Sequence, residues 1–164
     1  MVSLKELLGV DAIKFSYKFL KLKHVPFLFW SSPKALTFKP PLISLFFLII
    51  GLILFGLGEA LLIAAGLGVS PWTVLAQGIT NLTGWTVGFA TFITSFFVLI
   101  CWIPLKETPG IGTILNAIII ALVLDLLLPF LPTFNNSLLN FAEAVLGVLV
   151  TGLGGGIYLI ANLG

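Results

Sequence analysis

Four stretches of this 164-residue chain, at about 41–66, 85–105, 111–131 and 138–163, are nearly unbroken runs of apolar residues, and none carries more than one carboxylate. A run of about 20 apolar residues is long enough to cross the hydrocarbon core of a bilayer as a helix. Hydrocarbon offers backbone N–H and C=O groups no partner, so only helices or a closed barrel can span it. Barrel strands would alternate polar and apolar residues with period two, which these runs do not. The pattern predicts an all-α polytopic membrane protein of about four transmembrane helices. A mean hydropathy of +1.21 with only 9% charged residues lies well outside the range of a soluble globular domain.

The segments between the spans divide the chain into a lysine-rich segment, 1–40, and a membrane domain, 41–164. Seven of the eight lysines precede residue 40, and the eighth, Lys106, lies in the loop between the second and third spans. Basic residues stay on the cytoplasmic side, so the amino terminus is expected inside a bacterial inner membrane that the chain crosses several times. Within 4–22, Lys14, Lys18 and Lys21 recur at helical spacing beside apolar residues, which fits an amphipathic helix drawn to anionic lipid, or equally a basic tail that only sets orientation. The stretch 69–84, VSPWTVLAQGITNLTG, is too short and too polar to span. Pro71 suits a first helical turn, so 71–82 reads as a short helix lying at the outer surface or dipping into it. Gly56, Ala60 and Ala64 recur every four residues in the first span and predict a smooth face for close helix packing. Cys101 is the single cysteine and reads as a buried thiol, so no intrachain disulfide or thiolate metal site is available.

Residues 51–68, GLILFGLGEALLIAAGLG, align without a gap to 147–164, GVLVTGLGGGIYLIANLG, at an offset of 96. Gly51, Gly56, Leu57, Gly58, Ala65, Leu67 and Gly68 all recur. The three spans and short helix that separate the two starts form an odd number of crossings, so a second unit would begin from the opposite face. That is a partial inverted repeat, an architecture common among secondary transporters, whose site lies near the midplane between the halves. The expectation is one complete unit plus the first helix of another, completed by a partner chain or a homo-oligomer.

The strings GLGVSPWTVLAQGI, TGWTVG and WIPLKETPGIGTILNAIIIALVLD resemble the YczE/YitT-like family of bacterial integral membrane proteins over about 45–164. Similar features in that family are the Gly-x-Gly-x-x-Pro-Trp turn (Gly66, Gly68, Pro71, Trp72), the Trp102, Pro104, Leu105 motif, and the helix opening with Pro109, Gly110, Gly112, Thr113 and Asn116, with Asp125 further on. Many members carry Asp where this chain has Thr73. The resemblance implies a membrane protein, sometimes described as a permease, and no particular substrate.

Three carboxylates lie within the apolar runs: Glu59, Asp125 and Glu143. Each sits on the order of 9 to 12 Å from the outer end of its helix, a shared depth far from the lysines. A carboxylate there either holds a proton or faces water or a cation, so the three are candidates for coupling or ligand binding. The bland reading is interfacial placement of Glu59 and Glu143 and simple hydrogen-bond acceptance by Asp125. Pro71, Trp72, Thr73, Gln77, Thr113 and Asn116 are candidate polar or turn contacts, the Pro71 turn by offering helix-start N–H groups to an anion. No spacing of Ser, His, Asp or Cys forms a catalytic or metal constellation, so neither enzyme activity nor a cofactor is expected. The expected partners are the lipid bilayer, with anionic lipid at the basic segment, and no nucleic acid. The leading functional expectation is a permease for a small solute or ion, coupled through Glu59 and Asp125, and the alternative is a membrane scaffold that binds other helices.

Overall fold

The computed structural model describes residues 27–164, in which every regular element is helical. The amphipathic stretch 4–22 lies outside the described residues. The helices are α1 (Leu42–Ala65), α2 (Pro71–Thr83), α3 (Val87–Leu105), α4 (Ile111–Leu127), a 3-10 turn (Leu128–Phe130), and α5 (Ser137–Ile160). Four of them, with α4 extended by its 3-10 turn, are long and apolar enough to cross a membrane. The chain is therefore a multi-pass membrane protein.

Local chemistry sets the boundaries. Ser70 caps α2 by accepting from the Thr73 N–H, with Pro71 in the first turn. Gly66 and Gly84 take left-handed conformations (φ 66° and 75°) that end α1 and α2. Pro129 has no N–H to donate, and the last turn before the loop tightens to 3-10 geometry around it. The fourth span ends at Ile160 rather than near 163, because Asn162 turns left-handed (φ 53°) and the Leu163 carbonyl accepts from the Gly112 N–H at 2.8 Å.

α1 packs against both α5 and α4, α4 packs in turn against α3, and α3 against α2. The tightest seam joins antiparallel α1 and α5 through glycines. A Cβ at Gly51 would lie 2.9 Å from the Gly154 carbonyl oxygen, and one at Gly154 would lie 2.6 Å from that of Gly51. Gly58 and Gly147 are reciprocal in the same way, at 2.7 and 3.0 Å. Gly51 also meets Tyr158 where Gly147 meets Leu62, and Gly58 meets Thr151 where Gly154 meets Phe55. The small face at Gly56 and Ala60 turns instead to α4: a Cβ on Gly56 would touch Val123, and Ala60 is buried with Ile120 and Leu124.

The connector before α1 folds back onto this seam. Trp30 stacks on Phe47 at 4.6 Å, the Ser32 N–H donates to the Ala161 carbonyl, and Asn162 Nδ2 donates to the Ser32 carbonyl. Large apolar side chains such as Phe96, Ile103, Leu126, Phe141 and Leu149 point outward, as lipid-facing positions require. Cys101 is exposed on α3 rather than buried, since that helix packs with only one side.

Candidate functional site

No packed seam joins α1 to α3, and a cavity of about 450 Å³ fills the space between them. Its walls come from α1 (Phe55, Glu59), the start of α2, one stripe of α3, one face of α4, and Tyr158 of α5. On α3 the lining residues Thr91, Ser95, Val98 and Trp102 follow helical spacing, so one stripe faces the cavity while the opposite side faces outward.

Among the described residues Glu59 is the one carboxylate in the lining, and it is only 5% exposed. Its Oε2 accepts from the Thr73 hydroxyl at 2.6 Å and from the Ser70 hydroxyl at 3.1 Å. The two hydroxyls lie 2.9 Å apart, and Ser70 at the same time caps α2. No donor among the described residues reaches Oε1. Glu59 stands six residues before the end of α1, so the loop 66–70 turns back and starts α2 beside it, below the end of the span. The first turn of the short helix therefore lies beside Glu59 rather than beyond the end of α1. The positive end of the α2 dipole then lies against the Glu59 carboxylate. The anion at this helix start is the chain's own side chain.

Asp125 stands elsewhere. Its Oδ2 accepts from the Thr86 hydroxyl at 2.7 Å and its Oδ1 from the Gly88 N–H at 2.8 Å, so it caps the start of α3 from the neighbouring helix. It is not part of the cavity wall. Glu143 is buried on α5, and its Oε2 has no hydrogen-bond partner among the described residues. It too lies outside the cavity. Pro71, Trp72, Thr73, Thr113 and Asn116 all line the cavity, whereas Gln77 on α2 does not. The residues that sequence reasoning passed over are Ser70, Thr91, Ser95, Trp102 and Tyr158, which sit in apolar helices or in a loop whose path the sequence does not show. Among the described residues no three His, Cys, Asp or Glu side chains come together to hold a metal.

Comparison with known proteins places these features in a family. The model of a family of unknown function, DUF6198, matches residues 42–164. An uncharacterised protein of Haemophilus influenzae is 37% identical over 146 residues, which is 88% of this chain and 65% of the relative. The uncharacterised membrane protein YczE of Bacillus subtilis is 34% identical over 119 residues, 70% of this chain and 54% of its own length. The uncharacterised protein YyaS of the same organism is 34% identical over 114 residues, 67% and 57% of the two chains. The chain thus spans little more than half, and at most 65%, of the curated relatives it matches. No solved structure matches it.

Proposed function

The chain belongs to the DUF6198 family, and on that premise we propose that it is a permease for a small solute or ion whose ligand enters the cavity beside Glu59. The observation that carries the reading is Glu59 itself: a buried carboxylate with one oxygen held by two hydroxyls and the other left free at the wall of a cavity. Intramembrane carboxylates are costly, and their usual roles are ion pathways, proton relays and ligand sites. A cavity of this size sits within the roughly 300–1,000 Å³ range of small-molecule sites. Coupling by a proton or a cation is assigned to Glu59, and Asp125 holds the start of α3 in place.

The inverted-repeat reading belongs to the same proposal. An offset of 96 maps Gly51, Phe55, Gly58 and Leu62 onto Gly147, Thr151, Gly154 and Tyr158. These are the two faces that meet, and each close contact has its counterpart under that exchange. A pair of antiparallel helices using the same face of an equivalent helix is the arrangement an inverted repeat calls for. The lysine distribution supports a cytoplasmic amino terminus in the bacterial inner membrane. A scaffold that presents the small-residue faces of α1 to other proteins is disfavoured, because α5 and α4 already cover them, whereas Gly152 and Gly156 of α5 stay open.

The test uses the purified full chain in proteoliposomes loaded with a pH-sensitive dye and exposed to a panel of amines, amino acids, carboxylates, sugars and inorganic cations. At least one solute should move protons or accumulate above protein-free vesicles, with Glu59→Gln slowing it by about tenfold or more, the worth of one charge-assisted contact. Folded protein that moves no member of the panel contradicts the reading.

A further inference from the structure

We propose that the cavity binds a small organic ammonium ion, with its charged head against the free oxygen of Glu59 and its carbon body among aromatic side chains. The inference rests on the reading of the cavity as a ligand site and names the class of ligand.

Charge gives the first argument. Among the described residues Glu59 is the only charged group in the wall, and no Lys, Arg or His lines the cavity. The start of α2 offsets roughly half an elementary charge. The two hydroxyls donate to Oε2 alone, so Oε1 is left as an acceptor with no donor among the described residues. A carboxylate withdrawn from water and left without a cationic partner favours a ligand that brings one.

The shape of the wall separates an organic cation from a metal ion. Calcium takes about six to eight oxygen ligands and magnesium an octahedral set. Among the described residues the oxygens bonded to Glu59 are those of Ser70 and Thr73, and most of the cavity surface is apolar. A cavity of about 450 Å³ is also far larger than a bare metal ion needs.

Aromatic residues supply the third argument. Phe55, Trp72, Trp102 and Tyr158 all line the cavity, and ring faces attract ammonium groups, most strongly when water is excluded. At the other end, Thr113 and Asn116 in the first two turns of α4 offer a hydroxyl and an amide. A ligand with an ammonium head and a second polar group would satisfy both ends.

Titration of the full chain in detergent, followed by tryptophan fluorescence, tests this with choline, its neutral isostere 3,3-dimethylbutan-1-ol, tetramethylammonium, methylammonium and sodium. The expected result is saturable binding of at least one organic ammonium ion, with choline preferred over the neutral alcohol by about tenfold or more. Glu59→Gln should lose most of that preference while still binding the alcohol, which shows that the variant is folded, and Glu59→Asp should keep it. Equal binding of choline and the alcohol, or no response to any ammonium ion, overturns the inference. Flux of another solute class without ammonium binding would sink this inference and leave the permease reading standing. Ammonium binding that depends on Glu59 but gives no flux would support the inference and sink the permease reading.

Discussion

The hydroxyl of Thr73 donates to Oε2 of Glu59 at 2.6 Å across a gap of fourteen residues, tying the first turn of α2 to the inner face of α1. That bond brings α2 back into the bundle, closes one side of the cavity and leaves the second carboxylate oxygen for a ligand. The family features around the Pro-Trp turn thus converge on a residue that lies before the turn. At Thr73 this chain has a hydroxyl that donates to that glutamate.

Thr73→Val keeps the shape of the side chain and removes its hydroxyl, leaving Oε2 with Ser70 alone. We expect a loss of about 1–2 kcal/mol in stability, within the range of hydrogen bonds between membrane helices and to charged groups. Ligand-dependent flux should fall with it. Thermal unfolding in detergent and flux in proteoliposomes read the two effects.

Gly58→Ala or Gly154→Ala should weaken the α1–α5 seam. The added methyl would meet partner backbone at 2.7 Å and 2.6 Å respectively, and backbone cannot swing aside as a side chain can. Overpacking of this kind typically costs about 1–3 kcal/mol. Gly152→Ala, on the same helix with nothing within 4 Å, should be neutral or stabilising by up to about 1 kcal/mol from helix propensity. Melting temperatures of the three variants, compared in one detergent, check the contrast.

Asp125→Ala removes the acceptor for both Thr86 and the Gly88 N–H and should destabilise the protein by about 1–2 kcal/mol. Asp125→Asn keeps one acceptor oxygen and should lose less. Hydrogen exchange of the first turn of α3 should rise more in the alanine variant than in the asparagine variant.

Much of this architecture was legible in the sequence, because membrane spans are declared by long apolar runs. Four long apolar helices appear within a few residues of the expected limits, and Pro71 marked the short helix. Glu59 stood out as a carboxylate among apolar residues. The return of loop 66–70 to its side did not, since it depends on the left-handed Gly66 and on long-range packing. The same limit hid the capping of α3 by Asp125, whose Gly88 partner is 37 residues away. Period-four small residues at Gly56, Ala60 and Ala64 drew notice first, yet the closest seam uses glycines seven apart, Gly51 with Gly58 and Gly147 with Gly154. That spacing was visible in the repeat alignment, as two turns of one helix face. The stripe of Thr91, Ser95 and Trp102 was harder to see, because α3 is apolar all round and offers little periodicity.

Orientation can be checked chemically. In a Cys101→Ser background, Lys34→Cys and Lys106→Cys should react with a membrane-impermeant maleimide only after cells are permeabilised. Asn135→Cys, in the loop between α4 and α5, should react in intact cells. The opposite pattern would reverse the orientation drawn from the lysines.

Solute-driven proton movement, measured side by side in proteoliposomes of the unmodified chain, Glu59→Gln and Asp125→Asn, tests the assignment of coupling to Glu59 most directly. The expected result is a loss of about tenfold or more in Glu59→Gln, with Asp125→Asn staying within about threefold of the unmodified rate. A Glu59→Gln protein that couples solute to protons as the unmodified chain does would contradict the account.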